Sequence, residues 1–225
     1  MIRLERLLEI TRNLSAALDL DPFLKSVIAE ACELTDSEAA SILKYDSIGD
    51  ELEFLAVPWH YRDALRGKRI PLDGSSAGRA FRDAKPLHIP DFGPDSNCFS
   101  ALDFVSGFET RSLLAVPLML KGRPLGVLEV VNKIGADHYT EDDITILGTL
   151  AAPSALAIQN AELQRRIEAG ASEIADLDRL KSDFIAITSH ELRTPLGLIL
   201  GYATFLREQL GDQYYEQMDI IIKNA

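Results

Sequence analysis

Residues 185–202, IAITSHELRTPLGLILGY, place a histidine, a carboxylate and a hydroxyl close together in an apolar segment with helical spacing. Glu191 directly follows His190, and Thr194 lies four residues after the histidine, on the same face of a helix. Neutral imidazole is a good nucleophile near neutral pH, and a neighbouring carboxylate can orient it or accept its proton. A phosphoryl group arriving from ATP would give phosphohistidine at His190. The Thr194 hydroxyl could then position a water molecule for its hydrolysis.

A proline follows this group at position 195. Within a helix, Pro195 removes a backbone hydrogen bond and clashes with the carbonyl four residues earlier, which belongs to Glu191. We therefore expect the helix to bend immediately after His190. The HExxH signature of zinc proteases is not met, because position 194 is threonine, and no metal site is predicted.

The elements around this group are predicted to be helical from position 140 onward. Thr140 is a suitable N-cap, and Asp142 and Asp143 favour the positive end of a helix dipole. The helical pattern continues to about Leu210. A turn at GDQ and a second helix beginning YYEQMDIIIKNA follow.

A heptad pattern runs along the long helix. One seam falls on Leu156, Leu163, Gly170, Leu177 and Phe184, and the other on Asn160, Ile167, Ile174, Lys181 and Thr188. Mostly apolar seams favour a parallel coiled-coil dimer over a helix buried within one chain. On this heptad His190 lies off the seam and faces solvent, and Gly170 is a candidate hinge.

The residues before position 140 predict an α+β domain with an antiparallel sheet of about six strands. One amphipathic helix covers about the first 18 residues, and another begins at Pro22 with Asp21 as its cap. Alternating segments predict two hairpins, SEAASILKYD with ELEFLAV and RSLLAVPLML with RPLGVLEVVNK. KRIPL and PLHIP are predicted strands, and SAGRAFRDA is a short helix between them. The irregular stretch 91–110 is typical of a lid or binding loop.

Composition excludes several classes of protein. The 225 residues carry a formal charge of −12, which argues against nucleic acid as the main partner. The two cysteines, Cys32 and Cys98, form no paired motif, so the sequence suits a reducing compartment. The N-terminus has no secretion signal, and the longest apolar run, LLAVPLML, is too short to span a membrane. A cytoplasmic location is therefore expected.

The run FIAITSHELRTPLGLILGYATFL resembles the phosphoacceptor box of sensor histidine kinases, in which S-H-E-L-R-T-P-L is a specific signature. The resemblance implies that His190 is phosphorylated and that Glu191 activates it. It further implies that Thr194 serves dephosphorylation of a partner response regulator, and that Pro195 bends the helix. The family's dimeric four-helix bundle would be built from residues 178–225 of two copies, with the second helix truncated at Ala225.

The stretches LDGSSAGRAFRDAKPLHIPD, GFETRSLLAVPLML and GRPLGVLEVVNK, followed by YTEDD, resemble a GAF domain. The resemblance implies a sensor domain over residues 1–165, joined through a signalling helix and coiled-coil linker at 140–184. It also implies a six-stranded antiparallel sheet with helices on one side and a small-molecule pocket on the other.

Part of this resemblance extends to cyclic-nucleotide-binding members. Asn132, Lys133, Tyr139 and Asp143 partly match their motif, with Tyr in place of Phe and Ile144 in place of Glu. We favour an ion pair between Lys133 and Asp143 that pins a loop over contact with a ligand, because exposed ion pairs are common and weak. The sequence does not determine which ligand the domain binds.

Several other residues are candidates for a cofactor, ligand or catalytic site. Cys98 is not in a bilin-attachment pattern, and His60, His88 and His138 are unmarked as haem ligands. Trp59 could line a pocket or fill the core. Gly74 to Gly78 fit G-x-S-x-G with Ser76 as a hydrolase nucleophile, although a helix N-terminus capped by Asp73 or Ser75 is favoured.

The sequence thus predicts the sensor and dimerisation portion of a cytoplasmic histidine kinase. ATP would be held by a domain that this chain lacks, so the chain alone should be unable to use ATP. The expected partners are a second copy, a response regulator and a possible small-molecule ligand. The alternative is a non-enzymatic GAF dimer that binds a small molecule and transmits conformation through its coiled coil.

Overall fold

The computed structural model describes residues 19–92, 108–209 and 215–224. The predicted helix over the first 18 residues, most of the irregular stretch with Cys98, and the GDQ turn lie outside these ranges. The chain divides into two compact units, one ending at Leu163 and the other beginning at Gln164.

Helix α1 spans Leu20–Leu34 and packs one face into the core. The face predicted from its spacing is buried, and it comprises Phe23, Val27, Ile28, Ala31 and Leu34. Leu24 is buried as well. The predicted cap was wrong: Asp19 is the N-cap, and its side chain accepts a hydrogen bond from the Asp21 backbone N–H. The Asp21 carboxylate instead forms ion pairs with Lys25 at 2.6 Å and with Arg66 at 3.0 Å.

Six strands form one sheet in which every neighbouring pair is antiparallel. They are β1 Ser37–Asp46, β2 Glu51–Ala56, β3 Arg69–Pro71, β4 Leu87–Ile89, β5 Leu113–Leu120 and β6 Arg123–Lys133. Their order across the sheet is β3-β2-β1-β6-β5-β4. The predicted α+β class and the predicted strands are confirmed.

Two hairpins form the centre and one side of the sheet. β5 and β6 are joined by Lys121 and Gly122, whose φ angles are 49° and 79°. Positive φ at both positions is what a type I′ turn requires. The β1–β2 hairpin likewise turns through Asp50, with φ 53°. The two hairpins meet where β1 pairs with β6, for example at Ile42 opposite Leu128.

A 3₁₀ turn at Trp59–Tyr61 and helix α2, Arg62–Leu65, follow β2. Helix α3, Ser76–Asp83, follows β3 and is capped by Ser75, whose hydroxyl accepts from the Gly78 N–H at 3.0 Å. Gly78 also allows close packing, because a Cβ there would lie 2.1 Å from the Leu72 carbonyl oxygen. Ser76 is fully buried at this helix start, so the hydrolase alternative is not supported.

Apolar side chains cover both faces of the sheet. On one face α1 packs with the first turns of the long helix in a cluster that includes Val27, Ile42, Leu128, Leu147 and Leu150. On the other face α2 and α3 pack in a second cluster, including Leu43, Phe54, Leu65, Phe81 and Val127. The second face therefore also carries helices, although helices were expected on one side only.

Helix α4 spans Glu141–Gln209, and helix α5 spans Tyr215–Asn224. Both predicted helices are confirmed, and α4 crosses the boundary between the two units. By length and composition alone α4 could span a membrane. The core helix of a globular domain passes the same test, and Leu147, Leu150 and Ile158 of α4 are buried in the first cluster. No clear membrane span follows.

Candidate functional site

His190, Glu191 and Thr194 lie on α4, which stays helical through Pro195. All three side chains are exposed. Within the described ranges, no hydrogen bond or ion pair joins His190 to Glu191 or Thr194. The bend at Pro195 and the roles of these residues stay predictions. The structure places the imidazole on an accessible helix surface.

Apolar side chains around this group are also exposed. Phe184 is 69% exposed and Ile187 64%, and upstream Ile174 is 65% exposed. Further exposed residues of this kind are Ile167, Leu177, Leu180, Ile185, Leu192, Leu198 and Ile199. A helix with such a surface normally buries it against another element.

The described parts of α4 and α5 are joined by an ion pair within the second unit. Arg207 forms an ion pair with Asp219 at 3.2 Å, and Ala203 is buried. The two helices of the predicted hairpin are therefore in contact.

The N-terminus of α4 is closed by a reciprocal capping box. The Thr140 N–H donates to Asp143 Oδ2 at 2.8 Å, and the Asp143 N–H donates to the Thr140 hydroxyl at 3.3 Å. This pairing satisfies donors that a helix start leaves unpaired. Thr140 is thereby confirmed as the N-cap.

The Asp143 carboxylate also receives the ammonium group of Lys133, at 2.9 Å and 3.0 Å to its two oxygens. Lys133 Nζ donates in addition to the Thr35 carbonyl at 2.9 Å. The two side chains are 10% and 6% exposed, so the pair is buried rather than exposed as assumed from the sequence. It joins the end of β6, the end of α1 and the start of α4.

The pKa of the Asp143 carboxyl is held below its usual value by these partners. Burial alone would raise that pKa, but the donors from Thr140 and Lys133 outweigh burial. Asp143 is therefore an anion that the folded state stabilises.

Asn132 and Tyr139 are also engaged within the chain. Asn132 Oδ1 accepts from the Arg111 N–H at 2.7 Å, and its Nδ2 donates to Glu38 at 2.7 Å and to the Glu109 carbonyl at 2.9 Å. The buried Tyr139 hydroxyl lies 3.0 Å from the Ser37 hydroxyl, and burial raises the pKa of this tyrosine. All four motif residues thus make contacts within the chain.

Two residues of this network were missed from the sequence. Glu38 bonds to Asn132 across 94 positions and also forms an ion pair with Arg111. No local pattern marks either residue, because their proximity arises only when β6 pairs with β1 on one side and with β5 on the other.

The three histidines considered as haem ligands lie at two different places in the GAF unit. His88 Nε2 accepts from the Tyr139 N–H at 3.3 Å, and the His88 ring lies 6.4 Å from that of His138, between centroids. Burial, with His138 as a further contribution, lowers the pKa of His88. His60 lies near Tyr61. No group of three or more metal-ligating side chains occurs in the described part of the chain.

Comparison with known proteins settles the family. The GAF domain model matches residues 19–158. The chain belongs to the GAF family. A second model, the His Kinase A phospho-acceptor domain, matches residues 180–225, the segment that contains His190.

Two relatives are named as histidine kinases. The chain is 27% identical over 154 residues to hybrid signal transduction histidine kinase G of Dictyostelium discoideum, covering 64% of this chain and 4% of that protein. It is 43% identical over 77 residues to the sensor histidine kinase TmoS of Ectopseudomonas mendocina, covering 33% and 8%. The chain thus spans less than a tenth of either relative.

The GAF domain of a phosphoenolpyruvate-protein phosphotransferase from Coxiella burnetii has a similar structure. The TM-score is 0.63 at 22% identity, covering 73% of this chain and 96% of that one. At this identity the similarity establishes the GAF fold alone.

Proposed function

We propose that this chain is the sensor and phosphoacceptor portion of a two-component sensor histidine kinase. The observation that carries the proposal is the exposed His190 inside the matched phospho-acceptor domain, on a helix that begins in the GAF unit. Exposure matters because the imidazole must reach the γ-phosphorus of ATP and later a carboxylate on another protein.

In the proposed reaction, an imidazole nitrogen of His190 attacks the γ-phosphorus of ATP. The bond from phosphorus to the bridging oxygen breaks, and ADP leaves with that oxygen. Glu191 accepts the proton of the other ring nitrogen, which leaves the phosphorylated imidazole ring neutral. The phosphoryl group then passes to an aspartate of a response regulator. In the phosphatase step, Thr194 positions the water molecule that hydrolyses the phosphorylated aspartate of the regulator.

ATP would be presented by a separate ATP-binding domain, since the 225 residues contain no GxxxxGK[ST] loop or protein-kinase motif set. The GAF unit would receive the signal in the cytoplasm.

A second copy of the chain is the proposed cover for the exposed apolar surface of α4. Ile167, Ile174 and Leu177 fall on the two heptad seams, and each is more than half exposed in the single chain. Pairing two copies through these seams would bury them and bring two phosphoacceptor hairpins into one bundle.

Signal transfer would start where α4 is pinned. A change in the GAF unit that alters the Lys133–Asp143 pair would shift or rotate α4, and the motion would reach Pro195 and change access to His190. Gly170 is the proposed hinge, and Gly170→Leu should weaken signal-dependent phosphorylation in the complete kinase.

The test is phosphoryl transfer from radiolabelled ATP with a histidine-kinase ATP-binding domain supplied in trans. Wild-type chain should be labelled, His190→Gln should not, and His138→Gln, an exposed histidine outside the site, should match the wild type. Glu191→Gln should slow labelling by roughly 10²-fold, the usual effect of removing a general base. Equal labelling of wild type and His190→Gln would refute the kinase proposal and favour the non-enzymatic dimer.

A further inference from the structure

A cavity of about 380 Å³ opens between α1, the start of β1 and the segment after β2. Ile28, Cys32, Ala40 and Val57 form part of its walls, and Ala29 lies on its α1 side. We call it the helix-face cavity, because Ile28 and Ala40 belong to the hydrophobic cluster that α1 shares with α4.

Small side chains create this space. Ala29 and Cys32 lie one turn apart on α1, and Ala40 faces them from β1. Larger side chains at these positions would leave less room between α1 and β1. The space opens to solvent at one side, so an apolar ligand that enters it would displace water from apolar walls, which is favourable.

The chemistry of the walls selects a neutral occupant. Burial raises the pKa of the Cys32 thiol to about 11, so the sulfur is uncharged. Lys25, Glu38 and His60 also line the cavity. The Lys25 ammonium group is paired with Asp21 at 2.6 Å, and the Glu38 carboxylate accepts from Asn132 at 2.7 Å. Both charges are already balanced by partners in the chain, which leaves little gain for an ionic ligand.

The volume sets the size of the occupant. Ligand pockets in proteins span roughly 300–1,000 Å³, and a cavity of about 150 Å³ holds benzene. The volume of the helix-face cavity is between two and three times that of a cavity that holds benzene, so it has room for two fused rings.

We propose that the helix-face cavity binds a small, neutral, apolar molecule of about two fused rings. Such a ligand would lie on the sheet face that carries α1 and α4. Its binding does not depend on the proposed kinase function.

Two contacts connect the cavity to the signalling helix. Ile28 packs in the same cluster as Leu147 and Leu150 of α4. Glu38 bonds to Asn132, the residue before Lys133, whose ion pair pins the start of α4. An effect of occupancy on phosphorylation of His190 would therefore follow, and this step rests on the proposed function.

The experiment measures alkylation of Cys32 by iodoacetamide at pH 9, with neutral, two-ring indole as the probe. Cys98→Ser is present in every variant, so that Cys32 is the only thiol. Indole at about ten times its Kd leaves roughly one molecule in ten empty, so alkylation should slow about tenfold. The melting temperature should rise with indole concentration in parallel.

Two variants of α1 locate the effect. Ala29→Phe places a ring at the cavity and should abolish both protection of Cys32 and the rise in melting temperature. Ser26→Phe adds the same ring at an exposed α1 position outside the lining, and both effects should persist. Circular dichroism checks that each variant is folded.

Three results would overturn the proposal. Unchanged alkylation of the full chain with saturating indole would exclude binding, and protection that persists in Ala29→Phe would place indole elsewhere. Protection that appears only after deletion of residues 1–18 would assign the cavity to that segment instead of a ligand. Because no outcome involves phosphoryl transfer, failure here leaves the kinase proposal standing, and failure of the kinase proposal leaves binding intact.

Discussion

Asp143→Asn tests whether the buried ion pair at the start of α4 holds the GAF unit together. The asparagine keeps an oxygen that can accept from Thr140, so the helix cap is largely preserved. It removes the negative charge beside the Lys133 ammonium group, whose side chain is 10% exposed. The substitution therefore isolates the ion pair from the cap.

The expected loss follows from that burial. Removing one partner of a buried ion pair costs about 3–5 kcal/mol, because the other charge stays buried without compensation. Lys133 keeps its bond to the Thr35 carbonyl at 2.9 Å, so we expect the lower end, about 3 kcal/mol. At about 2–4 °C per kcal/mol for a chain of this size, the melting temperature should fall by roughly 6–12 °C.

The assay is urea denaturation followed by the fluorescence of Trp59, the single tryptophan, which belongs to the GAF unit. Asp137→Asn removes an exposed carboxylate a few residues away, and it should change stability by less than about 0.5 kcal/mol. Lys133→Met and the double variant complete a double-mutant cycle. The double variant should lose at least about 1 kcal/mol less than the sum of the single losses.

The same pair predicts a pH dependence. The pKa of the Asp143 carboxyl in the folded chain lies below its usual value of 3.8. The carboxylate therefore stabilises the folded state at pH values above the unfolded pKa, and this stabilisation is lost as pH falls through the folded pKa. The gap between wild type and Asp143→Asn should be constant from about pH 5 to 8 and shrink below about pH 4. A loss under about 1 kcal/mol for Asp143→Asn, or an additive cycle, would refute the role assigned to the pair.

Three further predictions use the same titration. Gly126→Ala should destabilise by about 3 kcal/mol or more, because its Cβ would lie 2.1 Å from the Leu43 carbonyl oxygen; a neutral result would contradict the strand packing. Gly148→Ala, in α4 with nothing within 4 Å, should stabilise by roughly 0.5–1 kcal/mol, and a loss would show an unseen neighbour. As pH falls from 7 to 5, the free energy of unfolding should decrease less for His88→Gln than for the wild type. The folded pKa of His88 is lowered, so its contribution declines as pH falls below about 6.5, when protonation breaks its bond to Tyr139; parallel curves would count against this.

Local patterns in the sequence determined the elements and the candidate phosphoacceptor. Alternation in SEAASILKYD and ELEFLAV predicted the first hairpin, since side chains of a strand alternate between its faces. Thr140 as N-cap, with Asp142 and Asp143 in the first turn, predicted the start of α4. The capping bonds between Thr140 and Asp143 span only three positions, so they are local to the sequence. The contiguous motif S-H-E-L-R-T-P-L marked His190 as the candidate phosphoacceptor, through its resemblance to a family signature, without any knowledge of the fold.

Tertiary structure determined the contacts that join distant segments. Asp21 suits a helix cap by residue type, yet it pairs with Arg66, 45 positions away, and Asp19 takes the cap instead. Burial of the Lys133–Asp143 pair and the link from Glu38 to Asn132 depend on how β1, β6 and α4 pack. The helix-face cavity also depends on tertiary packing, because its walls come from three separate segments of the chain. Residue spacing specifies which element a segment forms and which face is apolar, but the partner of that face is set by the packing of the whole domain.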